Sequence, residues 1–368
     1  MAVYKIFPTK DATLYSMYPD KNTGLDEILE VSLDVGALFT PTPQTSRFLI
    51  QFSTEEILDV INNKISGSQW QANLRCFSAD VSGLNQTTVL DIYPVYQSWN
   101  MGTGKLVYSP EVTDGVSWNY RSYYVNNPWT NGTFNPNTTG SYTSSVSIGG
   151  GTWYTNLYSS QSFGFYDNKD INSNVTNIVS AWSESIIENN GFIIKQREEF
   201  IDNIYSQPKL KYFSIDTHTI YPPCLEFKWN DSIINTGSSG ITNINTLPLI
   251  ITLGENPGTF YPDSVNKFRV YSKPEYPARV FSTSSYYTQN YYLSDNSYYA
   301  IQDLYTNEYV IDFDDTYTKL SKDTVSSYFT LYMNGLEPER YYKVVIKTIL
   351  DGNTLILDNN YYFKIING

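Results

Sequence analysis

The residues best suited to chemistry lie in one stretch, Lys211 to Asp231, which reads KYFSIDTHTIYPPCLEFKWND. It holds the only histidine, His218, and one of the two cysteines, Cys224. A thiolate beside an imidazole is a nucleophile, so this spacing raises the question of a catalytic pair. The local pattern answers against it. Pro222 and Pro223 keep the chain extended and remove two donors, which marks the start of a strand. Leu225, Phe227 and Trp229 then alternate with Cys224, Glu226 and Lys228, the pattern of a closing strand of a sandwich. Extended geometry holds His218 and Cys224 over about 15 Å apart. Both are expected to be scaffold.

The inventory closes further routes. A zinc site needs several His or Cys ligands, and the chain has three such residues in all. A Ser-His-Asp triad would have to use His218, and no serine sits in a Gly-x-Ser-x-Gly elbow. SIGGGTW (Ser147 to Trp153) lacks the Lys-Ser/Thr of a phosphate loop and is expected to be a tight turn. Carboxylates are plentiful, so inventory leaves an acid-pair glycosidase open, but no pair shows a defined spacing. DFDDTYTKLSKD (Asp312 to Asp323) lacks the glycine and terminal glutamate of an EF-hand and is expected to be an acidic turn. Asp20, Asn22 and Asp26 offer hard oxygens for a structural calcium in the first turn, without a complete ligand set. No cofactor is expected.

Aromatic side chains are the other resource. Tyrosine occupies 34 of 368 positions, and its flat body with a polar tip suits strands and broad contacts. DGVSWNYRSYYVNNPWTNGTF carries Trp118, Tyr120, Tyr123, Tyr124 and Trp129, with Trp153 and Tyr154 after it. SSYYTQNYYLSDNSYYAI, with Tyr286 and Tyr287, is a second cluster. Trp129, Trp153, Tyr123, Tyr124, Tyr286 and Tyr287 are the candidate binding residues. Of these, Trp129 and Trp153 are the better surface candidates, whereas Trp118 is expected in the core. Such rings stack on sugars, or fill contacts between subunits, where Tyr and Trp are enriched. The second use is the expected one.

The elements that must position these residues are mostly short strands. LEVSL, RFLIQF, ANLRCFSADV and TVLDIYPVY alternate or run apolar between turns. Two helices interrupt them. STEEILDVINNKI opens with Ser53 and Glu56 at capping-box spacing and continues with an Ile57, Leu58, Ile61, Ile65 stripe. SNVTNIVSAWSESIIENNG sets Val175, Ile178, Val179 and Trp182 on one face and is expected to stop at Asn189 to Gly191. NDSIINTGSSGITNINT is rich in Gly, Ser and Asn and reads as a linker. About seven strands follow, which fits an immunoglobulin-like or fibronectin-like sandwich. The expected domains are 1–230, a linker over 231–246, and 247–368.

A net charge of −13 repels phosphate backbones, which argues against nucleic-acid binding. No apolar run reaches the length of a membrane span, and no secretory leader is visible. Two cysteines make no disulfide framework, so folding in a reducing cytoplasm is expected.

Several motifs carry a family resemblance. DATLYSMYPDKNTGLDEILEVS resembles the opening of the DNRLRE jelly-roll modules through Asp11, Ala12, Pro19, Asp20, Asn22, Gly24, Leu29 and Val31. QSWNMGTGK and DGVSWNYR resemble the family's W-x-x-G-T-G and D-G-x-T-W segments. NVTNIVSAW with NNGFIIK, and the stretch QPKLKYFSIDTHTIYPPCLEFKWND, resemble its late helix and closing strands. The family's late glutamate is Asp216 here, and the insert around Tyr123 to Tyr158 is long. The match covers about residues 3–230 and implies a jelly-roll β-sandwich with two short helices; together with the immunoglobulin-like or fibronectin-like sandwich read from the strands that follow, the expected fold is all-β. The parent family includes carbohydrate-binding modules. THTIYPPCLEFKWND, NKFRVYSKPEYPARVF and YMNGLEPERYYKV are similar to virion structural proteins of large tailed phages, notably contractile-tailed phages of marine cyanobacteria. That resemblance implies a non-enzymatic tail, neck or baseplate component, located in the virion and present in multiple symmetric copies beside other virion proteins. A surface adhesin for a host glycan, or a head decoration protein, is the alternative.

Overall fold

A computed structural model describes residues 2–34, 44–67, 69–84, 87–129, 149–200, 206–237, 241–245, 247–276 and 290–367. The protein is all-β with two short α-helices among these residues. It divides into two compact units. The larger comprises Ile6–Lys64 and Gln71–Glu226, and the smaller comprises Met1–Lys5, Ile65–Trp70 and Phe227–Gly368. The chain therefore does not divide at one point near residue 230.

In chain order the first elements are β1 (Ala2–Ile6), β2 (Pro8–Tyr15), β3 (Ile28–Asp34), β4 (Gln44–Phe52), α1 (Thr54–Asp59), β5 (Trp70–Cys76), β6 (Ser78–Ser82), β7 (Thr88–Pro94), β8 (Tyr120–Ser122), β9 (Asn127–Pro128), β10 (Ser159–Phe163), β11 (Ile171–Asn174), α2 (Thr176–Ser183), β12 (Phe192–Gln196), β13 (Gln207–Phe213) and β14 (Cys224–Trp229). One sheet runs β10-β7-β12-β4-β3-β13-β6, with β2 also on β4, and a four-stranded sheet runs β1-β14-β5-β11. The jelly-roll expectation of two even sheets is met unevenly: β4 pairs with β2, β3 and β12, so one long sheet curls through it.

Both helices form, and both are shorter than the sequence pattern suggests. Ser53 accepts the Glu56 N–H as the N-cap of α1, and the chain then loosens into a π-turn over Val60–Lys64. That change of pitch moves the buried stripe to Ile57 and Val60. In α2, Ile178, Val179 and Trp182 are buried, and Trp182 meets Phe192 with ring centroids 4.6 Å apart. The helix stops at Ser183, with Ser185 left-handed at φ 56°, well before Gly191.

The smaller unit carries β15 (Leu249–Gly254), β16 (Thr259–Phe260), β17 (Val265–Pro274), β18 (Ser297–Asp303), β19 (Tyr309–Ile311), β20 (Ser321–Lys322), β21 (Ser327–Tyr332), β22 (Tyr341–Leu350) and β23 (Asn353–Ile365). Its sheets run β15-β17-β21-β20 and β16-β23-β22-β18-β19. The first order is the A-B-E-D sheet of an immunoglobulin fold, and the second contains its C-F-G sheet. β16 pairs with β23 in parallel, so the first edge of the chain switches sheets. The core is an aromatic stack: Phe268 lies 5.1 Å from Phe329, and Phe329 lies 4.1 Å from Tyr299. Tyr342, at the start of β22, accepts the Glu337 N–H at 2.7 Å. This is the tyrosine corner of such sandwiches, a side-chain bond that fixes the turn leading into the sixth strand.

The expected linker belongs to this unit. Ile244 is buried, and backbone bonds join Asn235 to Lys322 and Ile244 to Tyr292. Ile244 and a few backbone donors are used at the sandwich edge, while Ile233, Ile234 and Ile241 stay exposed, which composition alone does not reveal. The strand expected at ARVFST lies outside the described residues. Tyr299, in the stretch read as an aromatic cluster, is instead a core residue of β18.

Candidate functional site

Three groups of side chains in the larger unit bear on function. The first is built on Asn22, which is fully buried. Its amide donates to the Met101 and Val116 carbonyls at 2.6 and 2.8 Å. Its Oδ1 accepts the N–H groups of Gly104 at 2.8 Å and Gly24 at 3.2 Å. All four bonds of a carboxamide are thus made inside the protein. Asp26 accepts the Leu106 N–H, and Asp20 accepts from the Asn119 amide. The calcium expectation at Asp20, Asn22 and Asp26 is corrected here: both lone pairs of Asn22 Oδ1 are taken, and each carboxylate engages a different loop donor. The glycines of the resemblance motifs make room for this clasp. A Cβ on Gly102, which has φ +79°, would lie 2.4 Å from Asn22 Oδ1.

The second group is a charged pin beneath aromatic rings. Arg47 of β4 binds Glu199 Oε2 through Nε at 2.9 Å and through its NH2 nitrogen at 2.8 Å, with side chains 4% and 2% exposed. It also donates to the Gly150 carbonyl at 2.6 Å. Its guanidinium lies 4.8 Å from the Trp118 ring and 5.1 Å from that of Trp153. Lys195 Nζ is 3.6 Å from the same Glu199 oxygen, and burial holds its pKa below the usual lysine range. Three left-handed glycines, Gly149 to Gly151, form the expected turn. A Cβ on Gly150 would come within 2.7 Å of Arg47 and Trp118. The chain there is a strap laid on the ion pair. At these exposures the charges hold the strap and are not presented to a ligand.

The candidate aromatic residues divide. Trp129 and Trp153 are 1% and 5% exposed and share a core cluster with Trp99 and Val116. Trp129 donates its indole N–H to the Ser117 carbonyl. The expectation that these two tryptophans reach the surface is therefore corrected, because both rings turn into the core cluster with Trp99 and Val116. Trp118, expected in the core, is only half-buried and packs on the cluster's edge. Tyr123 is half-buried against Tyr120, and Tyr124 is 84% exposed. Tyr286 and Tyr287 lie outside the described residues. Exposed rings that the sequence did not single out include Tyr166 at 95%, Tyr276 at 77% and Tyr305 at 64%. Their only signal was a turn-rich setting.

His218 is exposed in the loop before β14, whereas Cys224 is buried on that strand. Both faces of β14 are covered, so Glu226, on the face opposite Leu225 and Phe227, is also buried and pairs with Arg75 at 3.4 Å. The acidic turn near Asp314 caps itself, with Asp314 accepting the N–H groups of Thr316 and Tyr317 at 2.8 Å.

The third group is a carboxylate pair. Asp11 of β2 accepts the Ile215 N–H at 2.7 Å, and its neighbour in charge is Asp216. Burial, opposed by the Ile215 bond and reinforced by the Asp216 charge, pushes the Asp11 carboxyl up to about 8. Burial also raises Asp216. Among the described residues no three His, Cys, Asp or Glu side chains converge as a metal cluster. No helix among them is long and apolar enough to cross a membrane.

No family model and no curated protein matches the chain. Among solved structures, a DUF4785 family protein from Legionella pneumophila aligns at 7% identity and a TM-score of 0.20, over 99% of this chain and 64% of that one. Parabacteroides merdae β-glucuronidase, with glycerol in its active site, aligns at 11% identity and a TM-score of 0.17, over 98% of this chain and 36% of that one. The chain thus spans less than two thirds of either, and at these scores neither likeness carries an argument.

Proposed function

We propose that the chain is a non-enzymatic structural subunit of a tailed-phage particle, docking on neighbouring virion proteins through exposed tyrosines. The observation that carries this reading is the division of the aromatic residues. The insert tryptophans are spent on the core, while Tyr124, Tyr166, Tyr276 and Tyr305 stand out at 64% to 95% exposure on the two units. Tyrosine at such positions gives contact area at low entropic cost, with a hydroxyl for a hydrogen bond at the rim. The similarity of THTIYPPCLEFKWND and YMNGLEPERYYKV to virion proteins names the kind of partner. Repeated copies around a particle axis would multiply a modest contact. The glycan reading loses Trp129 and Trp153 as stacking platforms.

The test is a reconstruction of the purified particle with this chain located in it. The expected result is burial of these four tyrosines against other virion subunits. Absence of the chain from purified particles would overturn the proposal. Presence with the tyrosines bare, together with glycan-array binding by the purified chain, would replace docking with adhesion.

A further inference from the structure

We propose that Asp11 and Asp216 hold a divalent cation of the calcium type within the larger unit. Asp11 is 1% exposed. One of its oxygens is taken by the Ile215 N–H, immediately before Asp216. The other, Oδ1, and Oδ2 of Asp216 are both buried without a hydrogen-bond partner. A contact spanning 204 positions of the chain thus sets Asp11 next to the residue before Asp216, and the two carboxylates feel each other's charge.

Among the described residues no cationic side chain is hydrogen-bonded to either orphan oxygen, and Lys105 and His218 act on Asp216 through charge alone. Lys105, from the long loop after β7, is paired with Glu27 at 3.2 Å. Glu27, from the turn before β3, adds negative charge, and His218 is exposed on the loop after β13. Cys76 of β5, also near Asp11, is a buried neutral thiol whose pKa is raised, by burial first. Unpaired buried carboxylates are costly, and two near each other are costlier. A proton relieves one of them. A divalent cation matches both charges and satisfies both orphan oxygens at once.

The donor set selects the metal. Carboxylate oxygens are hard ligands, which favours calcium or magnesium over zinc or copper. With two carboxylates, the remaining positions fall to backbone carbonyls and water. Calcium accepts such irregular sets of six to eight oxygens, whereas magnesium demands an octahedron. Bound there, the ion would staple β2 to the loop after β13, closing a loop of some two hundred residues.

The experiment uses the full chain, stripped with chelator and exchanged to a pH above the Asp11 titration. Thermal unfolding and isothermal titration calorimetry are followed with calcium chloride, then magnesium chloride. Calcium is expected to bind one per chain and to raise the unfolding midpoint by about 5–10 °C at a hundredfold excess over Kd. Magnesium should do less. Asp11→Asn and Asp216→Asn should each lower calcium affinity at least about tenfold. Should Asp11→Asn fail to fold, the half-buried Asp216→Asn decides alone. Neither heat nor a shift for the wild-type chain at about 10 mM calcium, above even weak extracellular-type sites, would overturn the proposal. So would undiminished binding by Asp216→Asn.

Discussion

Asn22 and Asp11 stand at two ends of one problem, the buried oxygen. Both sit near the start of the larger unit, and both are almost wholly out of water. Asn22 has a protein partner for every bond its amide can make. Asp11 has one oxygen bonded and one bare. A neutral amide with four partners rigidifies a loop and asks nothing further of its surroundings. A carboxylate with a bare oxygen, beside a second such carboxylate, asks for a proton or an ion. The difference separates a residue that builds the fold from one that can answer to solution conditions.

The largest effect should come from breaking the satisfied side. Asn22→Ala leaves two carbonyls and two N–H groups of buried loops without partners, at about 1 kcal/mol or more each, so a loss of about 4 kcal/mol is expected. Chemical denaturation of the purified chain measures it. A loss under about 1 kcal/mol would mean that water replaces the amide, and the contrast with Asp11 would dissolve.

The opposite substitution should show the opposite sign at neutral pH. Without calcium, the folded state holds the Asp11 proton up to about 8, against 3.8 for a free carboxyl. The folded pKa is the higher one, so this stabilising contribution is fully present below about 4 and lost as pH rises to about 8. Asp11→Asn keeps an acceptor for the Ile215 N–H and cannot ionise. Its stability should exceed wild type toward pH 8, with slopes differing by about 1.4 kcal/mol per pH unit within that window. Parallel pH profiles would show that Asp11 stays ionised at little cost, with its bare oxygen already served by water.

Why one of these residues was legible in the sequence and the other was not follows from distance along the chain. Asn22 stands in a local motif with Asp20 and Gly24, which marked it as a site although its role was misassigned. Asp11 meets Asp216 only after the sandwich closes, and Arg47 meets Glu199 across 152 positions. No periodicity encodes such meetings. Strand alternation did reveal most of the β-structure, because one buried face repeats every second residue. It failed at β18, where SYYAIQD is buried on nearly every residue and resembles the aromatic loops around it. It failed again at residues 231–246, where a single buried Ile244 and a few backbone bonds outweigh a linker-like composition.

The smaller unit supplies the gentlest probe of the comparison. Tyr342 is a satisfied buried oxygen like that of Asn22, but with one partner instead of four. Its ring is 2% exposed and packs 5.8 Å from Phe363, so Tyr342→Phe keeps the apolar body and deletes only the hydroxyl. The Glu337 N–H lies in a turn near the surface and can turn to water when its acceptor is removed. The expected cost is therefore that of one net hydrogen bond, about 1 kcal/mol, roughly a quarter of the Asn22→Ala loss. Denaturant midpoints measured side by side give the ratio. A loss near that of Asn22→Ala would mean that the corner governs the closing of the whole sandwich, and that the number of partners is not what sets the worth of a buried oxygen in this chain.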